Sequence, residues 1–251
     1  MSIEHPNMGP VETPANWGLL GTILWGIGVA LIFILLQLVV TLILVMPGQR
    51  DLSEQQMATL LASAENDGFM LSVITIVSAL VCVPLVVGIA ALKRKSKISD
   101  YFALKPVTPR SLILWLGGLM LVIALSDGLT ALLGKPVVPV FMRAAYDTAQ
   151  PQWLFWLALV VAAPLFEETF FRGFLYTGFA STFMGSAGAI AVTAALWAAI
   201  HVQYDLYGIV SIFFLGIFFG LARRLAGSLS VPVALHAAAN VIAIAEAALR
   251  T

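Results

Sequence analysis

Six polar or ionisable side chains interrupt the apolar stretches in the C-terminal part of the chain, and their types suit proton transfer and hydrolysis. They are Glu167, Glu168, Arg172, His201, His236 and Asn240. An ionised side chain at the centre of a membrane-spanning helix costs about 2.5–3.5 kcal/mol on insertion scales. Such groups usually face the interior of a helix bundle or a wet cavity, and they mark function. A structural ion pair that holds helices together is the alternative interpretation of the two acids.

The spacing of the two acids predicts different roles for them. Glu168 and Arg172 are four residues apart with the acid first, which is the favourable order for an ion pair on one helix. Glu167 is turned by roughly 100° from Glu168 around that helix, so it need not share Arg172. Pro164 has no N–H and frees a carbonyl one turn earlier, which predicts a kink that admits water near the carboxylates.

Two of the three histidines lie in apolar segments, while His5 lies in the polar N-terminal tail and has no expected role. A single histidine on an apolar helix is more often a hydrogen-bonded core residue than a ligand. Trp197 precedes His201 by four residues, so we expect its ring to pack under the imidazole. His236 precedes Asn240 by the same spacing, which places both on one helix face.

Two histidines and one glutamate are a known ligand set for catalytic zinc. We therefore expect zinc as a cofactor, with Glu167, His201 and His236 as ligands and Glu168 as the alternative ligand. The second acid could act as general base on the bound water. Asn240 could donate a hydrogen bond to a developing oxyanion. Because these residues come from separate segments, their spacing alone is a weak metal motif.

The segments that must position these residues are membrane spans. The 251-residue chain is 61% hydrophobic and 10% charged, with a mean hydropathy of +0.99, whereas a soluble domain has about 25% charged residues. Too few polar groups are present to cover a water-facing surface. We predict an all-α, polytopic transmembrane helical bundle of about seven spans, with six or eight as alternatives. The spans are expected at 18–46, 69–92, 111–133, 152–176, 183–202, 207–225 and 229–249.

The charges between the spans predict an orientation. The segment 93–110 carries six basic residues and one acid, which places it in the cytoplasm by the positive-inside rule. Alternation then predicts a multi-pass cell-membrane protein with a cytoplasmic N-terminal tail, 1–17. Residues 18–150 form the N-terminal helices and loops, and 151–250 form the core that carries the six side chains. The net charge of zero argues against a nucleic-acid partner.

Three further patterns carry smaller predictions. Ser53 and Gln56 form a capping-box pattern, which favours either a short amphipathic helix or an ordinary loop. Asp127 is expected to line a cavity, or to make a local hydrogen bond or cap a helix break at Gly128. Gly216 and Gly220 form a small-xxx-small pattern, for which internal packing is favoured over dimerisation.

The motifs Glu167-Glu168-xxx-Arg172, Trp197-xxx-His201 and His236-xxx-Asn240 together resemble those of the CPBP family, the CAAX protease and bacteriocin-processing (Abi) proteins. Trp197 departs from the pattern, since the family usually has phenylalanine there, and we expect a change in packing. The resemblance covers roughly residues 150–245. It implies an intramembrane endopeptidase that acts on membrane-associated proteins or peptides, in a cavity reached from the membrane or the cytoplasm.

The resemblance also implies residue roles. Glu167 would activate the water, Arg172 would hold Glu168, the two histidines would complete the water or metal site, and Asn240 would lie at the oxyanion. Either a zinc metalloprotease or a metal-independent glutamate protease fits. A non-catalytic immunity or scaffold protein of the same fold is the main alternative. A proton-coupled transporter is a weaker one, because the sequence has no inverted repeat. The short chain is typical of a bacterial protein, for which a prenylated substrate is doubtful; the substrate and the oligomeric state stay open.

Overall fold

A computed structural model describes residues 16–46, 53–56, 59, 66–93 and 97–249 of the chain. Within these ranges the regular structure is helical and no strand is present, which confirms the predicted all-α class. The helices are α1 (Gly18–Val45), α2 (Gly68–Ala91), α3 (Ile98–Tyr101), α4 (Pro109–Leu132), α5 (Val140–Thr148), α6 (Gln152–Ala180), α7 (Gly185–Ala199), α8 (Leu206–Ala226) and α9 (Ser230–Leu249).

Short polar signals set the ends of the long helices. The Asp67 carboxylate accepts a hydrogen bond from Met70 N at the start of α2. Thr108 caps α4 in the same way, with Pro109 at the first helical position, where a missing N–H is harmless. Asp205 caps α8 through Gly208 N. Capping side chains satisfy amide groups that the helix itself leaves unpaired.

Six of the described helices are long and apolar enough to cross a membrane: α1, α2, α4, α6, α8 and α9. This confirms the prediction of a polytopic transmembrane bundle. The predicted span at 183–202 corresponds to α7, which has 15 residues. At 1.5 Å per residue, that helix extends about 22 Å, against about 30 Å for the apolar core of a bilayer. We therefore find six full-length spans and one short apolar helix.

Contacts between loops show that α7 nevertheless runs from one end of the bundle to the other. At one end, Ser181 donates a hydrogen bond to Asn16 Oδ1, so the turn before α7 lies beside the start of α1. At the opposite end, Tyr204 packs edge-on against Phe141, in α5. Among the described residues, α7 is therefore a short helix that runs alongside the six longer ones.

The two ends of the bundle differ in charge. The basic end includes the start of α1 and carries six described basic residues: Lys93, Lys97, Lys105, Arg110, Arg223 and Arg224. Two contacts show that these residues share one end of the bundle. Lys93 lies over the ring of Trp17, at the start of α1, and Ser228 Oγ, which follows α8, donates a hydrogen bond to Lys105 O. The other end contains α5 and the loops 133–139 and 200–205, and we call it the cavity end.

Two of the smaller predictions are confirmed. Ser53 N donates to Gln56 Oε1, and Gln56 N donates to Ser53 Oγ, which is the reciprocal pair of a capping box. The rest of the predicted amphipathic segment lies largely outside the described residues. Gly216 and Gly220 face α7, since a Cβ at Gly220 would lie 2.8 Å from Ile190 Cγ2. The pattern therefore serves internal packing, as predicted.

The suggested helix break at Gly128 is wrong, because α4 continues without interruption to Leu132. Nothing contacts the space that a Cβ at Gly128 would fill, so the glycine is tolerated within the helix. Asp127 lines the cavities described below, which is one of the possibilities given for this acid.

Candidate active site

Helix α6 carries both acids and is not a regular α-helix. It contains two π-helical stretches, Leu157–Ala162 and Glu168–Leu175, separated by the α-helical segment Ala163–Glu167. π-helical turns are rare and are often found at functional sites, because the wider turn changes the direction in which side chains project. Glu167 ends the α-helical segment and Glu168 begins the second π-helical stretch, so the change of helix type falls between the two acids.

Pro164 explains why the first π-helical stretch can be stable. This residue has no N–H to donate to a carbonyl one turn earlier. The carbonyl oxygen of Leu159, five residues before it, accepts a hydrogen bond from Asn240 Nδ2 at 2.6 Å instead. The freed carbonyl predicted from Pro164 is therefore present, and Asn240 of α9 satisfies it. Asn240, which we expected at an oxyanion, thus has a structural contact that ties α9 to α6.

Arg172 and Glu168 form a fully buried ion pair within α6. Arg172 Nη1 lies 3.0 Å from Glu168 Oε1, and both side chains are 0% exposed. Arg172 Nη2 also donates to the carbonyl oxygen of Gly216 at 3.2 Å. The guanidinium lies over the ring of Trp197, 4.4 Å from its centroid. A hydrogen-bonded, stacked guanidinium of this kind fits the role predicted for Arg172, which is to hold Glu168.

Glu168 has a second partner on another helix. The Nδ1 atom of His236 lies 2.9 Å from Glu168 Oε1. Because a carboxylate only accepts, Nδ1 carries the proton, and in the neutral ring Nε2 then has a free lone pair. That Nε2 lies 3.9 Å from Glu167 Oε2. His236, in α9, therefore lies between the two acids.

Glu167 is the more accessible acid, with a side chain that is 17% exposed. Its Oε2 accepts a hydrogen bond from the indole N–H of Trp197, in α7. The Trp197 ring packs edge-on against the rings of both His201 and His236, with centroid distances of 5.1 and 5.3 Å. The expected packing of Trp197 under the imidazole of His201 is therefore observed.

The tautomer of His201 follows from its backbone contact. Its Nδ1 lies 2.7 Å from the carbonyl oxygen of Trp197. A carbonyl only accepts, so Nδ1 carries the proton and Nε2 of the neutral ring is free to accept. His201 follows the end of α7 at the cavity end of the bundle, where its ring lies against that of Tyr204.

A cavity of about 210 Å³ lies against this cluster. Its walls include Trp197, His201 and Asn240, together with apolar side chains of α4, α8 and α9. A second cavity of about 380 Å³ lies nearer the cavity end and is more polar. Asp127 and Tyr204 line both, so the two cavities are adjacent. We call them the inner and the outer cavity.

Two side chains that line the outer cavity, Tyr204 and Asp205, have shifted pKa values. Burial and the nearby charge of Glu167 raise the pKa of Tyr204 to about 12, so its hydroxyl stays protonated at neutral pH. Hydrogen bonds from Lys135 and from Gly208 N lower the pKa of Asp205 below its ordinary value. Lys135 Nζ lies 2.7 Å from Asp205 Oδ2, and this ion pair joins two loops that border the outer cavity.

The described side chains do not form a cluster of three metal ligands. Both histidines direct Nδ1 to an oxygen and leave Nε2 free, which is typical of metal-ligating histidines. Among the residues that the structure describes, however, no group of three or more His, Cys, Asp or Glu side chains is close enough together to hold a metal ion. The predicted set of Glu167, His201 and His236, or that set with Glu168, therefore stays a prediction.

The structure brings all six predicted residues into one region of α6, α7 and α9. Sequence reasoning missed three features of it: the N–H of Trp197 as a donor, the carbonyl of Gly216 as a partner of Arg172, and Tyr204 beside Glu167. The i, i+4 spacing of Trp197 and His201 was a signal for the first. The glycine pattern at Gly216 was a signal of close packing, but not of a hydrogen bond.

These features define a multi-pass, all-α membrane protein with a buried cluster of acids and histidines. Residues 149–242 match the family model for the Rce1-like proteins, described as type II CAAX prenyl endopeptidase Rce1-like. The match includes all six predicted site residues, and over this part of the chain it agrees with the resemblance predicted from the sequence motifs.

A curated relative gives no further functional information. The chain is 33% identical over 138 residues to a protein of Escherichia coli named "Uncharacterized 24.3 kDa protein". The aligned region covers 52% of this chain and 62% of the relative, so less than two thirds of that relative is matched. No solved structure matches the chain.

Proposed function

We propose that the chain is an intramembrane endopeptidase that hydrolyses peptide bonds of membrane-associated proteins or peptides with a water activated by Glu167. The observation that carries this proposal is the position of the Glu167 carboxylate. It is partly accessible, it lies 3.9 Å from Nε2 of His236, and it is held by Trp197, which lines the inner cavity. A buried acid with a purely structural role would not need an accessible carboxylate next to a free imidazole lone pair.

The proton transfers follow from the tautomers. Glu167 accepts a proton from the water, the water oxygen attacks the peptide carbonyl, and the C–N bond breaks after the proton moves to the leaving nitrogen. His201 Nε2 can accept a hydrogen bond from the same water, because Nδ1 is the protonated nitrogen. Glu168 and Arg172 do not take part in these transfers. They fix His236 and keep the wall of the site rigid.

No step in this scheme passes through a metal ion. The zinc expected from the resemblance would supply Lewis-acid activation of the water if the three ligands closed around it. A cluster with that geometry is not among the described side chains. The proposal therefore assigns the activation of water to Glu167 and His201.

The charge difference between the two ends of the bundle supports an orientation. The basic end fits the cytoplasmic side by the positive-inside rule, which places residue 16 and the N-terminus there. The loops that border the outer cavity are at the opposite end. A scissile bond would then approach from the extracytoplasmic side of the cell membrane, which differs from the cytoplasmic access implied by the resemblance.

Cysteine labelling tests this orientation. In a Cys82→Ala background, Gln203→Cys and Ser99→Cys place one thiol at each end of the bundle. A membrane-impermeant maleimide applied to intact cells is expected to label position 203 and to label position 99 only after the cells are opened. The reverse pattern would show that the basic end is outside.

The function is tested by comparing new protein N-termini in membranes of cells that contain wild type, Glu167→Gln or Glu54→Gln. Glu54 is an exposed acid outside the site and serves as the matched control. We expect a set of N-termini with wild type and Glu54→Gln that is missing with Glu167→Gln at equal protein levels. An unchanged set with Glu167→Gln would overturn the proposal and favour the non-catalytic alternative.

A further inference from the structure

Trp197 has a donor that phenylalanine, the usual residue at its position in the family pattern, does not have. Its indole N–H donates to Glu167 Oε2. We infer that Trp197, which lines the inner cavity, is a positioning residue: its N–H holds the Glu167 carboxylate beside His236 in the orientation that activates water. This inference rests on the proposed function, and it adds a residue that the motif assigned only to packing.

The direction of this N–H is fixed by the surroundings of the indole ring. Trp197 is 2% exposed. The guanidinium of Arg172 lies over its ring, and the rings of His201, His236 and Phe219 surround it at centroid distances of 5.1–5.7 Å. An indole that is enclosed in this way has little freedom to rotate, so the N–H points to one place.

The carboxylate, in contrast, depends on such a contact for its orientation. Glu167 is the last residue of the α-helical segment of α6, and its side chain is partly exposed. A glutamate side chain has three rotatable bonds, and the torsion of its carboxylate is broad. A hydrogen bond to a charged group is directional and stronger than one between neutral groups. The Trp197 N–H therefore selects the rotamer in which Oε2 faces His236 Nε2.

The same tryptophan connects the two acids of the site. One face of its ring carries Arg172, which holds Glu168, and its N–H holds Glu167. Trp197 therefore fixes the position of the Glu167 carboxylate, which activates water, relative to that of Glu168, which Arg172 neutralises. Phenylalanine would preserve the contact with the guanidinium but not the hydrogen bond.

Two replacements at position 197 separate the N–H from the ring. Trp197→Phe removes the donor and part of the ring. The analogue 3-benzothienylalanine keeps the size of the indole and replaces N–H with sulfur, so it is expected to fold even where phenylalanine does not. Trp153→Phe, on an exposed face of the same bundle in α6, is the matched control.

The first readout is cleavage of the most abundant membrane protein found in the N-terminal comparison, purified as substrate. Both replacements at position 197 should lower kcat by about 10- to 100-fold, as for loss of a hydrogen bond to a charged group. KM should stay close to that of wild type, because the cavity wall keeps its shape. Wild-type kcat with the benzothienyl analogue would overturn the inference.

The second readout needs no substrate. The protein has six tryptophans, and their ¹⁵N-labelled indole groups give separate N–H resonances in detergent micelles. Glu167→Gln should shift the resonance of Trp197 while leaving that of Trp153 in place. An unshifted Trp197 resonance would also overturn the inference.

The two proposals fail in distinguishable ways. Loss of cleavage in Glu167→Gln together with full kcat of the benzothienyl variant would leave the endopeptidase proposal intact and remove the role of Trp197. Full cleavage by Glu167→Gln would remove the endopeptidase proposal itself. A normal shift of the indole resonance in that case would show that the hydrogen bond exists without a catalytic role.

Discussion

Replacement of Arg172 by alanine should destabilise the bundle more than replacement of any exposed basic residue. The change removes the contacts of the guanidinium with Glu168 and with the carbonyl of Gly216. Glu168 stays fully buried, and His236 becomes its main remaining partner. Breaking a buried ion pair by removing one partner costs about 3–5 kcal/mol, because an uncompensated charge is left behind.

Thermal unfolding of the purified protein in detergent measures this cost. For a chain of this length, 1 kcal/mol corresponds to about 2–4 °C in the melting temperature, so Arg172→Ala should melt about 6–20 °C below wild type. Arg224→Ala is the matched control, since Arg224 is exposed at the basic end. Its melting temperature should stay close to that of wild type.

A third variant separates the buried charge from the lost packing. Glu168→Gln combined with Arg172→Met removes both charges and keeps similar volumes. Replacing both members of a buried pair by groups of similar size is often close to neutral, so the double variant should melt well above Arg172→Ala. The reasoning would be refuted if Arg172→Ala had the same melting temperature as Arg224→Ala. It would also be refuted if the double variant had the lowest melting temperature of the three.

Three further predictions concern the surroundings of the site. Gly216→Ala should lower both the melting temperature and the cleavage rate, because a Cβ there would lie 3.0 Å from Trp197 Cε3 and 3.1 Å from Arg172 Nη2. Wild type should melt above Asp205→Asn at neutral pH, with a difference that closes as the pH falls below about 4, since the lowered pKa of Asp205 stabilises the fold only while the carboxylate is ionised. Dialysis against EDTA should leave cleavage intact, as measured with the same purified substrate.

Each of these has its own check. Gly117→Ala is the control for Gly216→Ala, because nothing lies within 4 Å of a Cβ at Gly117. Asparagine keeps the cap of α8 at position 205, so a difference that persisted at low pH would point to a cause other than the ion pair with Lys135. Loss of cleavage in EDTA that zinc restores would show that the predicted ligands close around a metal ion.

The spans were predictable because their hydropathy is high over many consecutive residues. Helices α1, α2 and α4 each have 24 residues or more and a high mean hydropathy, and hydropathy alone locates such segments. Helix α7 was placed correctly but its length was not, because the flanking apolar residues of the predicted span 183–202 lie in turns. Sequence periodicity does not distinguish an apolar turn that packs against neighbours from an added turn of helix.

The candidate site was predictable in membership but not in detail. The spacings placed Arg172 beside Glu168 correctly, since that contact lies within one helix. The hydrogen bond from Trp197 to Glu167 and that from Asn240 to Leu159 join different helices. Pro164 indicated a freed carbonyl in α6, but no local pattern in the sequence shows which side chain of another helix reaches it or how α6 is rotated against α7 and α9. Long-range contacts of this kind follow only from the packed bundle.

The order in which the chain is synthesised gives the ion pair within α6 a further consequence. The partners of α6 emerge from the ribosome later: Trp197 follows Glu167 by 30 residues, and His236 follows Glu168 by 68. At about 5–20 residues per second, 68 residues take about 3–14 s. Arg172 needs no such delay, because it neutralises Glu168 as soon as the helix forms. The pair thus lets α6 enter the bilayer with one unpaired acid instead of two.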